Sequence, residues 1–171
     1  WLKAELEQRG YLVYVPNMPA TDYPRIQNWV PALAKVVGRP DNETFFVGHS
    51  MGCATIARYL EGLSTNIKVG GVVFVAGFFL PLTEPNEGWD DNGQTDNHWA
   101  KTPIDFELIC AHIGKSVVIF SNDDPFVPLS NQNIFKEELG SEIIVIKNAG
   151  HLNIKAGYEK LPLVLDKLLE I

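Results

Sequence analysis

The sequence has few cysteines, few basic residues and no long uninterrupted hydrophobic run, and each shortage excludes a class of protein. Its two cysteines, Cys53 and Cys110, are too few for a disulfide framework and fit a reducing cytosol. Lys and Arg total 14 against 21 Asp and Glu, and an acidic chain of net charge −7 is not expected to bind nucleic acid. The longest apolar stretch, residues 69–82, is broken by glycines and a proline and falls short of the roughly 20 residues that span a bilayer. We therefore expect a cytoplasmic protein that binds neither nucleic acid nor membrane.

Apolar strands alternate with amphipathic helices along the whole chain. Residues 1–171 are 46% hydrophobic and contain no repeat or linker, so we expect a single domain with a sizeable core. Strands are predicted at 11–15, 44–47, 69–76, 116–120 and 142–146. Helices are predicted at 1–9, 25–37, 53–63, 129–139 and 158–170. Because the strands are apolar throughout, they indicate a mostly parallel sheet covered on both faces, in a three-layer α/β/α sandwich.

The pentapeptide Gly48-His49-Ser50-Met51-Gly52 matches the G-x-S-x-G pattern of a nucleophile elbow and lies between a predicted strand and a predicted helix. So sharp a turn strains the serine backbone, and side chains in place of Gly48 and Gly52 are expected to collide with the turn. The turn presents the Ser50 hydroxyl at the sheet edge and leaves the amide of Met51 free to donate to an oxyanion. We expect His49 to point away from the serine and to pack or hydrogen-bond against the sheet.

Candidates for the rest of a catalytic triad follow later strands, in the chain order serine, acid, histidine. Asp123 and Asp124 come directly after the strand at 116–120, and His151 follows the last strand. An imidazole can take the proton of a serine hydroxyl, and a carboxylate can hold that imidazole in the required tautomer. Because the carboxyl ends of parallel strands meet at one edge, these side chains are expected to converge there. The residues alone leave the choice between the two acids open.

Together these motifs resemble those of the α/β-hydrolases. Four features more narrowly resemble the compact serine hydrolases typified by retinoblastoma-binding protein 9 and its bacterial relatives: Asn-Met-Pro at 17–19, the elbow, Gly-Gly-Val-Val-Phe-Val-Ala-Gly-Phe at 70–78, and Asp-Asp-Pro-Phe at 123–126. The resemblance covers essentially the whole chain and implies a compact α/β-hydrolase fold without a large lid. It also implies Ser50 as the nucleophile, His151 as the general base and acid, and Asp124, directly before the proline, as the orienting carboxylate.

The function implied is hydrolysis of a small carboxylic ester or related acyl bond through an acyl-Ser50 intermediate, as in the carboxylesterases (EC 3.1.1). Such chemistry needs a small-molecule acyl substrate and no cofactor, and its rate is expected to fall below about pH 6, where imidazole protonates. Two alternatives stay open: a protein-binding module on the same fold with little or no turnover, and an acyltransferase or amidase that uses the same residues. No protein partner is assigned, because the pocket-protein motif L-x-C-x-E is absent and residues 108–112 read Leu-Ile-Cys-Ala-His.

In an α/β-hydrolase a strand precedes the first helix seen here, and the loop after it supplies the second oxyanion donor. That strand lies between those that correspond to 11–15 and 44–47, and both would lose a hydrogen-bonding neighbour without it. We therefore expect a strand and a glycine-bearing loop upstream of Trp1, and the second oxyanion donor is not assigned.

The polar segment 77–103 is too long for a plain connection and is expected to shape the substrate pocket. The candidate pocket residues are aromatic, and for each of them ordinary packing is the alternative: Phe78, Phe79, Trp89, Trp99 and Phe126. The acidic residues at 90–96, with His98, do not match the spacing of a calcium loop, so we expect no metal site.

Overall fold

The computed structural model describes residues 1–80, 82, 98, 99 and 101–171. Within them the chain forms, in order, α1 (Leu2–Glu7), α2 (Ile26–Val37), β1 (Phe45–His49), α3 (Met51–Glu61), β2 (Val69–Val75), α4 (Phe106–His112), β3 (Ile113–Ser121), α5 (Asn131–Glu137), β4 (Glu142–Ile146) and α6 (Pro162–Glu170). A single 3-10 turn at Ile154–Ala156 stands between β4 and α6 in the described chain. No described helix is long and apolar enough to cross a membrane.

The four described strands form one parallel sheet in the order β1-β2-β3-β4. The register places His49 opposite Val75, Val75 opposite Ile119, and Ser121 opposite Ile146. The strands therefore end nearly level, and the residues that follow them meet at one edge of the sheet. The predicted parallel α/β architecture is confirmed.

Hydrophobic residues cover both faces of the sheet because side chains alternate along each strand. On one face Val72 and Phe74 of β2 pack in a core with Leu60 of α3 and Phe135 of α5. On the other face Val73 and its neighbours pack with residues from α1 and α6. Helices thus lie on both sides of the sheet, which gives the three layers that the sequence predicts.

The prediction of a strand at 11–15 is wrong for this structure. These residues form no regular element, and four of their side chains are exposed: Tyr11, Leu12, Tyr14 and Val15. A strand exists only where a neighbouring strand completes its backbone hydrogen bonds, and no described strand lies beside this segment. Within the described chain β1 is therefore an edge of the sheet, and its Val47 is 37% exposed.

Candidate active site

Ser50 stands at the turn between β1 and α3 in a strained conformation. Its φ is 52° and its ψ is −119°, in the left-handed half of the backbone map that non-glycine residues rarely adopt. Two backbone hydrogen bonds hold the turn: the Ser50 amide donates to the Val75 carbonyl at 2.8 Å, and the Cys53 amide donates to the Ser50 carbonyl at 2.9 Å. The end of β2 therefore fixes the elbow, and the strain predicted from the motif is present.

The two elbow glycines differ in what surrounds them. A Cβ atom on Gly48 would lie 2.8 Å from Ile56 Cδ1 and 2.9 Å from the Cys53 amide nitrogen, so the prediction of a collision holds there. A Cβ atom on Gly52 would meet nothing within 4 Å, so the same prediction is wrong for Gly52. The crowding is one-sided because the β1–α3 turn closes over Gly48, whereas Gly52 faces open space.

The amide of Met51 lies at the first turn of α3, where helix amides have no partner within the helix. Among the described residues no backbone acceptor takes its hydrogen bond. Aligned peptide dipoles also favour negative charge at this end of a helix. A free N–H beside the Ser50 hydroxyl is the arrangement that could stabilise an oxyanion.

Cys53 lies directly behind the elbow and is fully buried. Its thiol donates to the Gly48 carbonyl at 3.2 Å and to the Val75 carbonyl at 3.3 Å. Burial raises the pKa of this thiol to about 12, which keeps it neutral at physiological pH. Cys53 is therefore a packing residue with a neutral thiol.

Asp124 and His151, which lie 27 residues apart in the sequence, are joined at the same edge of the sheet. His151 Nδ1 lies 2.7 Å from Asp124 Oδ2, and the Asp124 side chain is 1% exposed. The other oxygen of Asp124 accepts from the amides of Phe126 at 2.8 Å and Val127 at 3.0 Å. Because an ionised carboxylate only accepts, Nδ1 carries the proton and Nε2 is left as the basic nitrogen.

The neighbouring acid, Asp123, binds backbone rather than the imidazole. Its Oδ1 accepts from the Gly150 amide at 2.9 Å and from the Ser121 hydroxyl at 2.5 Å. These hydrogen bonds, with that from Ser121 the strongest influence, lower the pKa of the Asp123 carboxyl. The structure thus gives the two adjacent acids different partners.

The acid loop, residues 121–128, holds the histidine loop, residues 148–152, through successive amides. Ser121 Oγ accepts from the Ala149 amide at 3.0 Å, and Asn122 Oδ1 accepts from the Asn148 amide at 2.7 Å. The Gly150 amide donates to Asp123. The backbone amides of residues 148–150, directly before His151, are therefore each bound by a side chain of residues 121–123. Sequence reasoning missed Ser121 and Asn122 as anchors, although their position at the end of β3, directly before the acids, is a usable signal.

His49 makes a contact that the sequence did not predict. Its Nε2 lies 2.8 Å from the backbone carbonyl oxygen of His151, and the two imidazole rings are 4.8 Å apart between centroids. Of the two expectations for His49, packing or a hydrogen bond to the sheet, the second is wrong, because the histidine loop lies over the elbow and supplies the acceptor. Burial of its ring lowers the pKa of His49, although the residue as a whole remains exposed.

The elbow and the histidine loop lie next to each other, but the hydrogen bond between serine and histidine that would complete a triad is not formed. Among the hydrogen bonds of the described residues, none joins the Ser50 hydroxyl to His151. Catalytic hydrogen bonds are commonly long in ligand-free proteins and shorten when substrate binds. His151 and the elbow are linked instead through His49.

Among the described aromatic pocket candidates, Phe126 contacts His151. Its ring centroid lies 5.1 Å from that of His151, and it is 38% exposed. Phe78 is 1% exposed within the main core, and Phe79 packs against other phenylalanines. Trp99 is 3% exposed and stacks edge-on with Trp29. Trp89 lies outside the described residues.

No group of His, Cys, Asp and Glu side chains in the described ranges could hold a metal ion. The acidic residues at 90–96 lie outside those ranges. His112 is fully buried, and its Nδ1 donates to the Ile67 carbonyl at 2.7 Å, so it is a core residue remote from the elbow.

Comparison with known proteins gives consistent likenesses over nearly the whole chain. The family model described as serine hydrolase matches residues 1–170. YdeN of Bacillus subtilis (strain 168) is 29% identical over 168 residues, and serine hydrolase RBBP9 of Rattus norvegicus is 25% identical over 169 residues. Each alignment covers 98% of this chain and 84% of the relative.

Solved structures show the same architecture. The crystal structure of the B. subtilis ydeN gene product superposes with a TM-score of 0.88 at 28% identity, over 99% of this chain and 87% of that one. A polyneuridine aldehyde esterase superposes with a TM-score of 0.64 at 17% identity, over 99% of this chain and 91% of that one. These likenesses confirm the predicted α/β-hydrolase fold.

Proposed function

The chain belongs to the serine hydrolase family, as its motifs predicted, and from that premise we propose that it hydrolyses carboxylic esters or related acyl bonds through an acyl-Ser50 intermediate. The observation that carries the proposal is the hydrogen bond of 2.7 Å between His151 Nδ1 and the buried carboxylate of Asp124. It leaves Nε2 as a base on the histidine loop, beside an elbow that holds a strained serine.

The acylation half-reaction follows from these groups. His151 Nε2 takes the Ser50 proton as the serine oxygen attacks the substrate carbonyl carbon, and the carbonyl π electrons move to its oxygen. The Met51 amide donates to that oxyanion. When the tetrahedral intermediate collapses, the bond to the leaving group breaks, and His151 gives its proton to the departing alcohol. Asp124 stabilises the imidazolium that exists between these two transfers.

Deacylation repeats the same steps with water. His151 Nε2 takes a proton from water, whose oxygen attacks the acyl carbon of the Ser50 ester. Collapse of the second tetrahedral intermediate breaks the bond to the serine oxygen, which recovers its proton from His151. The products are a carboxylic acid and the free enzyme.

Substitution of the nucleophile tests this proposal. Ser50→Ala is expected to lower kcat/KM on a short-chain p-nitrophenyl ester by at least about 10³-fold, because the variant loses the hydroxyl that is proposed to form the acyl intermediate. Ser130→Ala is the matched control, since Ser130 is exposed and its side chain caps no helix amide. Full activity in Ser50→Ala would refute the proposal.

A fluorophosphonate probe separates catalysis from a binding module on the same fold. The probe reacts only with an activated serine, so intact mass spectrometry is expected to show one adduct on the native chain and none on Ser50→Ala. Absence of an adduct on the native chain would favour the binding module. Release of the acyl group to added alcohols in preference to water would instead indicate an acyltransferase.

A further inference from the structure

The histidine loop is anchored very unequally to its two neighbours. Side chains of the acid loop bind the amides of three of its residues and the imidazole of His151. To the elbow, residues 48–52, the described structure gives it a single hydrogen bond, from His49 Nε2 to the His151 carbonyl oxygen at 2.8 Å. That bond joins the residue before the nucleophile to the backbone of the general base.

The chemistry of the bond fixes its direction. A carbonyl oxygen only accepts, so His49 Nε2 carries the proton and donates it. A neutral ring with its proton on Nε2 and a cationic ring can both donate this bond, so protonation of His49 changes the charge beside His151 and leaves the donor in place. The ring also packs edge-on against the imidazole of His151, with centroids 4.8 Å apart.

The histidine loop needs external support because its own backbone is strained. Asn148 and Leu152, two of its five residues, are non-glycine residues with φ of 53° and 51°, in the left-handed region. Such conformations persist only where surrounding contacts hold them. Asp124 fixes the ring of His151 on one side, and His49 fixes its main chain on the other.

We propose that His49 is a positioning residue of the reaction, which holds the main chain of His151 at a set distance from Ser50 by donating Nε2–H to its carbonyl. The inference rests on the proposed serine hydrolase function and extends it to a residue that touches neither the substrate nor the proton in transit. A misplacement of about 1 Å in a catalytic group can lower the rate by about 10²-fold, so a bond of this kind controls kcat more than KM.

Protonation of His49 is expected to oppose catalysis. Among the described residues, the titratable groups that act on its ring are His151 and Asp124. A cationic His49 would stand beside the imidazolium that forms on His151 in each half-reaction and would destabilise it. Burial lowers the pKa of His49, so this conflict is avoided near neutral pH and appears in acid.

Two variants of His49 isolate the hydrogen bond. His49→Phe keeps an aromatic ring and removes the donor, and it is expected to lower kcat by about 10- to 100-fold with KM within about threefold of the native value. His49→Gln places an amide N–H at the reach of Nε2 and cannot titrate, so its kcat at pH 8 is expected within about threefold of the native value. In acid, the plot of log kcat against pH should have a slope greater than 1 for the native chain. The same plot for His49→Gln should have a slope of 1.

The outcomes separate the inference from the function on which it rests. Native kcat in His49→Phe, or failure of His49→Gln to recover activity while remaining folded by circular dichroism, would overturn the positioning role. If both variants unfold, His49 is a stability residue and the inference is also overturned. In either case a large loss in Ser50→Ala would leave the proposed function standing, whereas an active Ser50→Ala would remove both.

Discussion

Replacing Asp124 with asparagine removes the negative charge beside His151 and leaves the shape of the side chain nearly unchanged. In Asp124→Asn, the remaining carbonyl oxygen can still accept from the Phe126 and Val127 amides. The new amide group then faces His151 Nδ1 with N–H, where the native chain has an acceptor. The imidazole is expected to shift its proton to Nε2, which removes the base that should receive the Ser50 proton.

The size of the loss follows from the geometry. Asp124 is 1% exposed and contacts Nδ1 at 2.7 Å, so its charge acts on the imidazolium with little solvent between them. Two unit charges about 4 Å apart attract by about 4 kcal/mol at an effective dielectric constant near 20. At about 1.4 kcal/mol per tenfold, that is about 10³-fold in rate, and the inverted tautomer raises the expected loss to between about 10³- and 10⁴-fold.

Steady-state hydrolysis of a p-nitrophenyl ester and thermal unfolding together provide the assay. Asp124→Asn should lose activity while its Tm stays within about 3 °C of the native value, because its backbone acceptor is kept. Asp124→Ala should lose both, since an unpaired buried amide costs about 1–3 kcal/mol and each kcal/mol lowers Tm by about 2–4 °C. An Asp124→Asn variant within tenfold of native activity, or less impaired than Asp123→Asn, would refute the assignment of the orienting carboxylate.

The other predictions concern the stability of the two loops. Gly48→Ala should lower Tm by about 5 °C or more, because its Cβ would lie 2.9 Å from the Cys53 amide nitrogen, whereas Gly52→Ala, with open space at its Cβ, should change Tm by less than about 2 °C in the same scan. Hydrogen bonds lower the pKa of Asp123 in the folded chain, so its carboxylate stabilises the fold above the unfolded pKa, near 3.9, and that contribution is lost as pH falls through the folded pKa. The Tm deficit of Asp123→Asn should therefore be largest at pH 6–7 and shrink below about pH 4, and a deficit independent of pH would contradict this account.

The part of the site that could be predicted is the part that topology dictates. The elbow, the acids and His151 each follow a strand, and the carboxyl ends of parallel strands necessarily share an edge. The choice between Asp123 and Asp124 could not be made from the residues, because successive side chains in a loop point in different directions. Only the folded loop shows that Asp124 faces the imidazole and Asp123 faces the Gly150 amide.

Contacts between distant segments escaped prediction for the same reason. The bond from His49 to His151 spans 102 residues, and no local pattern specifies it. The β-branched and aromatic residues at 11–15 favour a strand locally, yet a strand also needs a partner, which the described chain does not provide. Helix α4 was missed because it runs directly into β3, although Asp105, whose side chain accepts from the Leu108 amide at 3.0 Å, is a readable N-cap.

Four of the five described non-glycine residues with positive φ follow strands at the edge of the sheet where the site lies, and the fifth is Ala20, before α2. Ser50 follows β1, Ala76 follows β2, and Asn148 and Leu152 follow β4, all with φ near 50°. Each such non-glycine residue costs of order 1–3 kcal/mol and persists because neighbouring contacts hold it. At Ser50 and Ala76 those contacts are hydrogen bonds to the ends of adjacent strands, to the Val75 and Ile119 carbonyls. A module that only docked a partner would gain nothing from holding a serine hydroxyl this way, whereas a nucleophile gains a fixed approach to its base, so the distribution of strain favours catalysis over docking.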